Sequence, residues 1–147
     1  MSAAPSLDAL LPGLRAAIIG NSGIAALHGL FNGEPSVHTR RPIPASAGFP
    51  ATVIGPIAAV IDADGLNDHR PTVSLDIITY GAQKDDLRAV DSIADAIRTL
   101  FHRQKHALSV DLYSVTMIRC RGPYVAPVDD DTDVGRRVSL TISLFAL

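Results

Sequence analysis

The feature that most constrains this chain is a change of hydrophobic period in its second half. In "TVSLDIITY", over 72–80, Val73, Leu75 and Ile77 alternate with Thr72, Ser74 and Asp76. Successive side chains of a strand point to opposite faces, so this pattern is a strand with one buried face. The spacing then lengthens. Leu87, Val90, Ile93, Ala94, Ile97, Leu100 and Phe101 form one stripe of a helix predicted over 85–104. Asp85 or Asp86 is placed to cap it. Acid at its start (Asp85, Asp86, Asp91) and base at its end (Arg98, Arg103, Lys105) complement the helix dipole. Period two returns in strands predicted near 110–121 and 137–145. In the second of these, Val138, Leu140, Ile142 and Leu144 alternate with Ser139, Thr141 and Ser143. These elements bury their apolar stripes together when the helix lies on one face of a sheet.

The first half is less regular. Ser6 is placed to cap a helix reaching about Gly20, with Leu7, Leu10, Leu11, Leu14 and Ile18 on one side. Pro12 then lies too deep for the first turn and is expected to kink or split that helix. A second short helix is predicted for "SGIAALHGLF", over 22–31. The segment 32–50, containing "PSVHTRRPIPASAGFP", has no period and reads as an extended Pro-rich loop or arm. Loops of that length are usually functional. "TVIGPIAAVID", over 52–62, reads as a strand pair or a strand broken at Gly55-Pro56. The expectation is a single α+β domain over 1–147. It has a mainly antiparallel sheet packed on one face by two short N-terminal helices and one long helix.

Size and charge limit the function classes. A chain of 147 residues is most simply one domain. Only 19% of its residues are charged and its mean hydropathy is +0.23, against about 25% charged in ordinary soluble domains. A small domain of this kind tends to hide surface against copies of itself. A net charge of −2 argues against a protein that grips nucleic acid, which needs concentrated Lys and Arg. One cysteine, Cys120, excludes an internal disulfide framework and fits a reducing compartment. With no basic-then-apolar leader and no apolar run near 18 residues, a soluble protein without membrane contact is expected. The polar strand positions carry Ser74, Ser114, Thr116, Ser139, Thr141 and Ser143, not Lys or Glu. Hydroxyl residues are good strand formers, and small uncharged side chains also suit a sheet face that meets another subunit.

No catalytic constellation emerges. In "VDDDTDVGRR", over 128–137, Asp129, Asp131 and Asp133 take the first three ligand positions of an EF-hand loop. The sixth position, which needs Gly, is Val134, and the twelfth, which needs Glu, is Leu140. A solvated hairpin loop over 122–136 fits better. His102 and His106 have the i, i+4 spacing of helical zinc ligands, but no third ligand is near, and Arg103 and Lys105 oppose a cation. Arg119 and Arg121 could lower the Cys120 pKa, yet no base partner can be named. "GNSGIAALHG" lacks the Lys-Ser/Thr of a P-loop. Neither metal nor cofactor is expected. A small metal-dependent enzyme and a monomeric ligand-binding module are the weaker alternatives.

The order of elements resembles a known family. The Pro-rich segment ends "GFPATVIGP", and a strand ending "DIITYG" leads to the helix "AVDSIADAIRTLF". An acidic turn is followed by "GRRVSLTISLF". This arrangement is similar to the tail-terminator, or tail-completion, proteins of long-tailed bacteriophages and gene transfer agents. The match covers most of the chain and departs from the family in the longer Pro-rich segment and in 57–62. The resemblance implies a non-enzymatic virion protein at the head–tail junction, made in the bacterial host cytoplasm. It implies a homo-oligomeric ring, a hexamer, that ends tail-tube polymerisation. Its partners would be the major tail tube protein and the head-side connector or stopper, with DNA passing transiently through the lumen. Another head–tail joining component, a stopper or adaptor, is the nearest alternative. The residues expected at a subunit boundary or the lumen are Arg40, Arg41, Asp129, Asp130, Asp131, Asp133, Arg136 and Arg137. The acidic run would repel phosphate or pair with a neighbour's arginines.

Overall fold

The computed structural model describes residues 6–62, 68–83, 86–128 and 134–147. Helix α1 (Leu10–Gly20) is followed by the single turn α2 (Ser22–Ala25). Three two-residue strands come next: β1 (Leu30–Phe31), β2 (Glu34–Pro35) and β3 (Val37–His38). The long elements are β4 (Ala51–Asp62), β5 (Pro71–Gly81), α3 (Leu87–Phe101), β6 (Tyr113–Val125) and β7 (Val134–Ala146). The main sheet runs β3-β4-β5-β7-β6, antiparallel throughout except for the β3–β4 pair. Both β5 and β6 are antiparallel to β7 and are joined through α3, which makes a split β-α-β unit. The α+β architecture is therefore as the hydrophobic periods require.

One core lies between the helices and one sheet face. Leu10, Leu14 and Ile18 of α1 and Val90, Ile93, Ala94, Ile97 and Phe101 of α3 are buried. They meet Val73, Leu75, Ile77, Val138, Leu140, Ile142 and Leu144 of the central strands. Among the described residues no helix covers the opposite face.

Pro12 does not kink its helix. Helix α1 starts at Leu10, without a side-chain cap, so Pro12 sits in the first turn, where backbone N–H groups have no intrahelical partner. Ser6 instead accepts the Asp8 N–H at 3.1 Å. The second predicted helix stops at Ala25; Ala26, Leu27 and His28 still bond within the turn, and from Gly29 onward the backbone is claimed by tertiary partners. The Gly29 N–H donates to the Pro50 carbonyl at 2.9 Å, and the Gly48 N–H to the Leu30 carbonyl at 2.9 Å. A Cβ on Gly29 would lie 2.3 Å from the Gly48 carbonyl carbon, so only glycine permits this approach.

The 32–50 segment docks on its own sheet. Asn32 and Gly33 both have positive φ, as a two-residue type I′ hairpin requires, and join β1 to β2. Strand β3 then pairs with Thr52 and Val53, and Ser36 and Val37 are buried. The predicted break at Gly55-Pro56 is a register shift within one continuous strand, where Gly55 has φ +80 and a Cβ on it would lie 3.2 Å from the Leu11 methyl groups of α1. Asp86 precedes α3 but does not cap it with its side chain; the carboxylate turns back to accept the Ala82 and Gln83 N–H groups. Asp85 lies outside the described residues. Strands β6 and β7 both run further toward the acidic loop than their periods suggest.

The lateral edges of the sheet are only partly covered. On one side β3, two residues long, pairs with Thr52 and Val53 of β4, and residues 58–62 of that strand are exposed. On the other, β6, the Ile118 carbonyl accepts the Arg103 N–H at 2.9 Å, and the Cys120 N–H donates to His102 Nδ1 at 3.0 Å. Arg103 reaches this edge by taking φ +60 just beyond the helix end, a conformation usually left to glycine.

Candidate assembly surfaces

The face of the sheet opposite the helices follows from register. Ser74 lies opposite Thr141, Asp76 opposite Ser139, and Thr72 opposite Ser143. On the β6 side, Met117, Arg119 and Arg121 lie opposite Ser143, Thr141 and Ser139. Four of the hydroxyl residues singled out by alternation thus form the middle of one open face. Ser114 sits at its corner opposite Phe145, and Thr116 lies in the β6 bulge, its hydroxyl donating to the Ser143 carbonyl at 3.0 Å. The few charges in the centre are held by neighbours. The Ser139 hydroxyl donates to Asp76 at 2.8 Å, and Arg137 Nη1 lies 3.8 Å from the same carboxylate. The Arg137 guanidinium also stacks 5.2 Å from the Tyr124 ring centre, while its Nε is buried without a hydrogen-bond partner. Apolar side chains rim the face: Ile61 is 64% exposed and Met117 46%.

Of the boundary residues expected from sequence, Arg136 and Arg137 part company. Adjacent strand positions face opposite ways, so Arg136 turns to the helix side and pairs with Asp91 of α3 at 2.8 Å. Asp91 is thereby a cross-element partner and not the dipole group expected, because α3 begins at Leu87 and its first turn holds no acid; of the bases expected at its end, only Arg98 lies in the last turn. Arg41 is exposed but donates to the Tyr80 hydroxyl at 3.0 Å and lies over its ring at 5.5 Å. Tyr80 is opposite Gly135, whose missing Cβ leaves room for that ring. Arg41 and the start of β7 therefore share one end of the sheet, where the acidic loop departs. Arg40 is exposed there without an ion-pair partner among the described residues. Asp129, Asp130, Asp131 and Asp133 lie outside the described residues.

The chemical alternatives find little geometric support. His102 follows the last residue of α3 and His106 lies in a separate short turn (Lys105–Ala107), so the two do not share a helical face. No group of three metal-ligating side chains occurs among the described residues. Arg119 and Arg121 face away from Cys120, which is buried. Loss of solvent pushes the thiol up to about 11, only partly opposed by Arg98, so it is not an activated nucleophile. The most connected buried polar group is His28. Its Nδ1–H donates to the Ile24 carbonyl at 3.0 Å, and its Nε2 accepts the Thr52 hydroxyl at 2.7 Å. The Thr52 oxygen in turn lies 3.0 Å from the Thr79 hydroxyl. Burial lowers the His28 pKa, keeping it neutral as this chain of bonds requires. It ties the α2 turn to β4 and β5.

Sequence reasoning missed a cationic groove of about 420 Å³ between the turn after α3 and the β6 edge, lined by Arg103, Lys105, His106, Met117 and Arg119. The motifs "HRQKH" and "IRCR" each read as locally basic; only the docking of the helix end on β6 brings them together. No helix is long and apolar enough to cross a membrane among the described residues.

No family model and no curated protein matches the chain. Its fold is similar to that of a chain in a solved structure described as the virion of a native gene transfer agent particle. The likeness has a TM-score of 0.69 at 17% identity and covers 94% of this chain and 94% of that one.

Proposed function

We propose that this chain is a structural virion protein. In this reading its copies form a ring that caps a tail tube, ends tail polymerisation and joins the tail to a head-side connector, with DNA passing through the lumen. The observation that carries the reading is an uncovered sheet face of small hydroxyl residues, on a fold shared end to end with a virion chain. A layer of small, uncharged side chains desolvates at low cost, which suits burial against another subunit.

The test is native mass spectrometry and negative-stain microscopy of the purified chain, alone and with the major tail tube protein. Closed rings, with tube growth arrested when they are added, are expected. A strict monomer at high concentration under both conditions would sink the reading. Another head–tail joining component, a stopper or adaptor, is the second reading, favoured by the same shared fold. It differs in predicting rings that leave tube growth unaffected.

A further inference from the structure

We infer that the groove between the α3 end and β6 is the docking site for the acidic segment, Asp129 to Asp133, of a second copy of this chain. The inference rests on the ring reading and names the two surfaces that would join neighbouring subunits.

The groove is cationic without internal compensation. Arg103, Lys105 and Arg119 are exposed on its walls, none of the lining residues is acidic, and none of the three enters an ion pair among the described residues. Met117, 46% exposed, offers an apolar floor. The complementary group is in the same sequence: four carboxylates within five residues in "DDDTD". Potentials of opposite sign on two patches steer encounter and fix register.

Chain length works against the segment of the same copy. Ala126 is pinned by its N–H to the Gly135 carbonyl. The midpoint of the connection to Val134 is four residues from either anchor, so its backbone can extend at most about 14 Å. Arg119 lies seven positions back along the strand, roughly 23 Å away at the usual strand rise. The proposal therefore assigns the acidic segment to a neighbour's groove. Donor and acceptor patches occupy different places on one subunit, which is the heterologous contact that generates rings.

Mixing charge-reversed copies tests the pairing. Arg103→Glu with Arg119→Glu makes the groove acidic; Asp129→Lys, Asp131→Lys and Asp133→Lys make the segment basic. Each variant alone is expected to lose assembly while keeping its circular dichroism and denaturant midpoint. An equimolar mixture is expected to regain rings of equal composition, since every acidic patch again meets a basic one. Should a reversed chain fold poorly, Arg103→Gly with Lys105→Ala serves instead. Glycine suits the φ of +60 at this position, so this chain should keep its stability and assemble more weakly. Wild-type rings together with unimpaired variants, or a mixture that stays dissociated, overturn the groove proposal and leave the ring reading intact. A wild type that is monomeric even with tube protein overturns both. A short DNA duplex separates the remaining possibility. If the groove variant loses duplex binding but still closes rings, the groove takes phosphate and the proposal falls.

Discussion

The two faces of the sheet solve opposite problems with the same strands. On the covered face, Leu75, Ile77, Leu140 and Ile142 are at most 1% exposed and are sealed by α1 and α3. On the open face the alternate positions of those strands carry Ser74, Asp76, Ser139 and Thr141. Burying aliphatic side chains supplies about 25 cal/mol for each Å² removed from water. The hydroxyl layer removes little apolar area, so it adds little to the stability of one subunit. The difference teaches that stability is assigned to one side of β5 and β7, which leaves the other side free for the assembly role proposed above. A substitution should disturb one with little effect on the other.

The sharpest break in that division would come from Phe101→Ala. Phe101 is fully buried at the end of α3, and its truncation should cost about 3–5 kcal/mol of unfolding free energy, read from urea denaturation. A loss below about 1 kcal/mol would mean that the helix is not essential to the covered face. Thr52→Val comes next. It removes the acceptor hydroxyl that links His28 to Thr79 and should cost about 1–3 kcal/mol by the same measurement.

The same cluster gives a pH dependence. His28 has a folded pKa below its ordinary value of 6.5, chiefly through burial. On acidification the unfolded chain therefore takes up the proton first. Its contribution to stability is complete above about pH 6.5 and declines as the pH falls toward the folded value. His38 and His102 are shifted in the same direction, His38 by burial and then Arg15, and His102 by desolvation and then Arg98, Arg103 and Arg119. Urea midpoints should drop between pH 7.5 and 5.5, and the drop should shrink in His28→Gln. An unchanged slope in that variant would assign the effect elsewhere.

Open-face changes should be small for the single subunit. Asp76→Ala removes the partner of Arg137 and Ser139, but both charged groups are more than a third exposed, so solvent screening limits the loss to about 0.5–1 kcal/mol. Smallest of all, Ser74→Lys with Thr141→Lys should shift stability by no more than about 0.5 kcal/mol. Placed side by side across β5 and β7, the two ammonium groups should nevertheless abolish rings in native mass spectrometry. Rings that persist would free this face from the subunit contact.

Legibility in the sequence followed the same line. Strand β5, helix α3 and strand β7 are plain from period alone, because each buries one stripe against one layer. The first half is governed by contacts that no period encodes. Gly29 fits against Gly48, and β3 joins the sheet through two residues, so the Pro-rich segment read as an arm although it lies on its own sheet. Asn32-Gly33 was the available clue, since that dipeptide favours the turn it forms. Among the site residues, alternation separates Arg136 from Arg137, yet their partners Asp91 and Asp76 are set by tertiary register. The groove at Arg103 and Arg119 needed the docking of a helix end on a strand edge, which joins residues sixteen positions apart by subtraction of their numbers.

The partly covered edges of the sheet bear on how copies of this protein would meet at high concentration. Open strand edges let chains zip together through backbone ladders, which are indifferent to sequence and slow to come apart. Here His102 and Arg103 occupy the middle of β6, whereas β3 covers only the start of β4 and leaves the exposed 58–62 stretch of that strand open to that route on its side. In the ring reading, contacts made by side chains and opposite charges are screened by salt within about 10 Å at 0.1 M. Mistaken encounters can then dissolve and be tried again, so that a correct assembly is reached by correction more than by first contact.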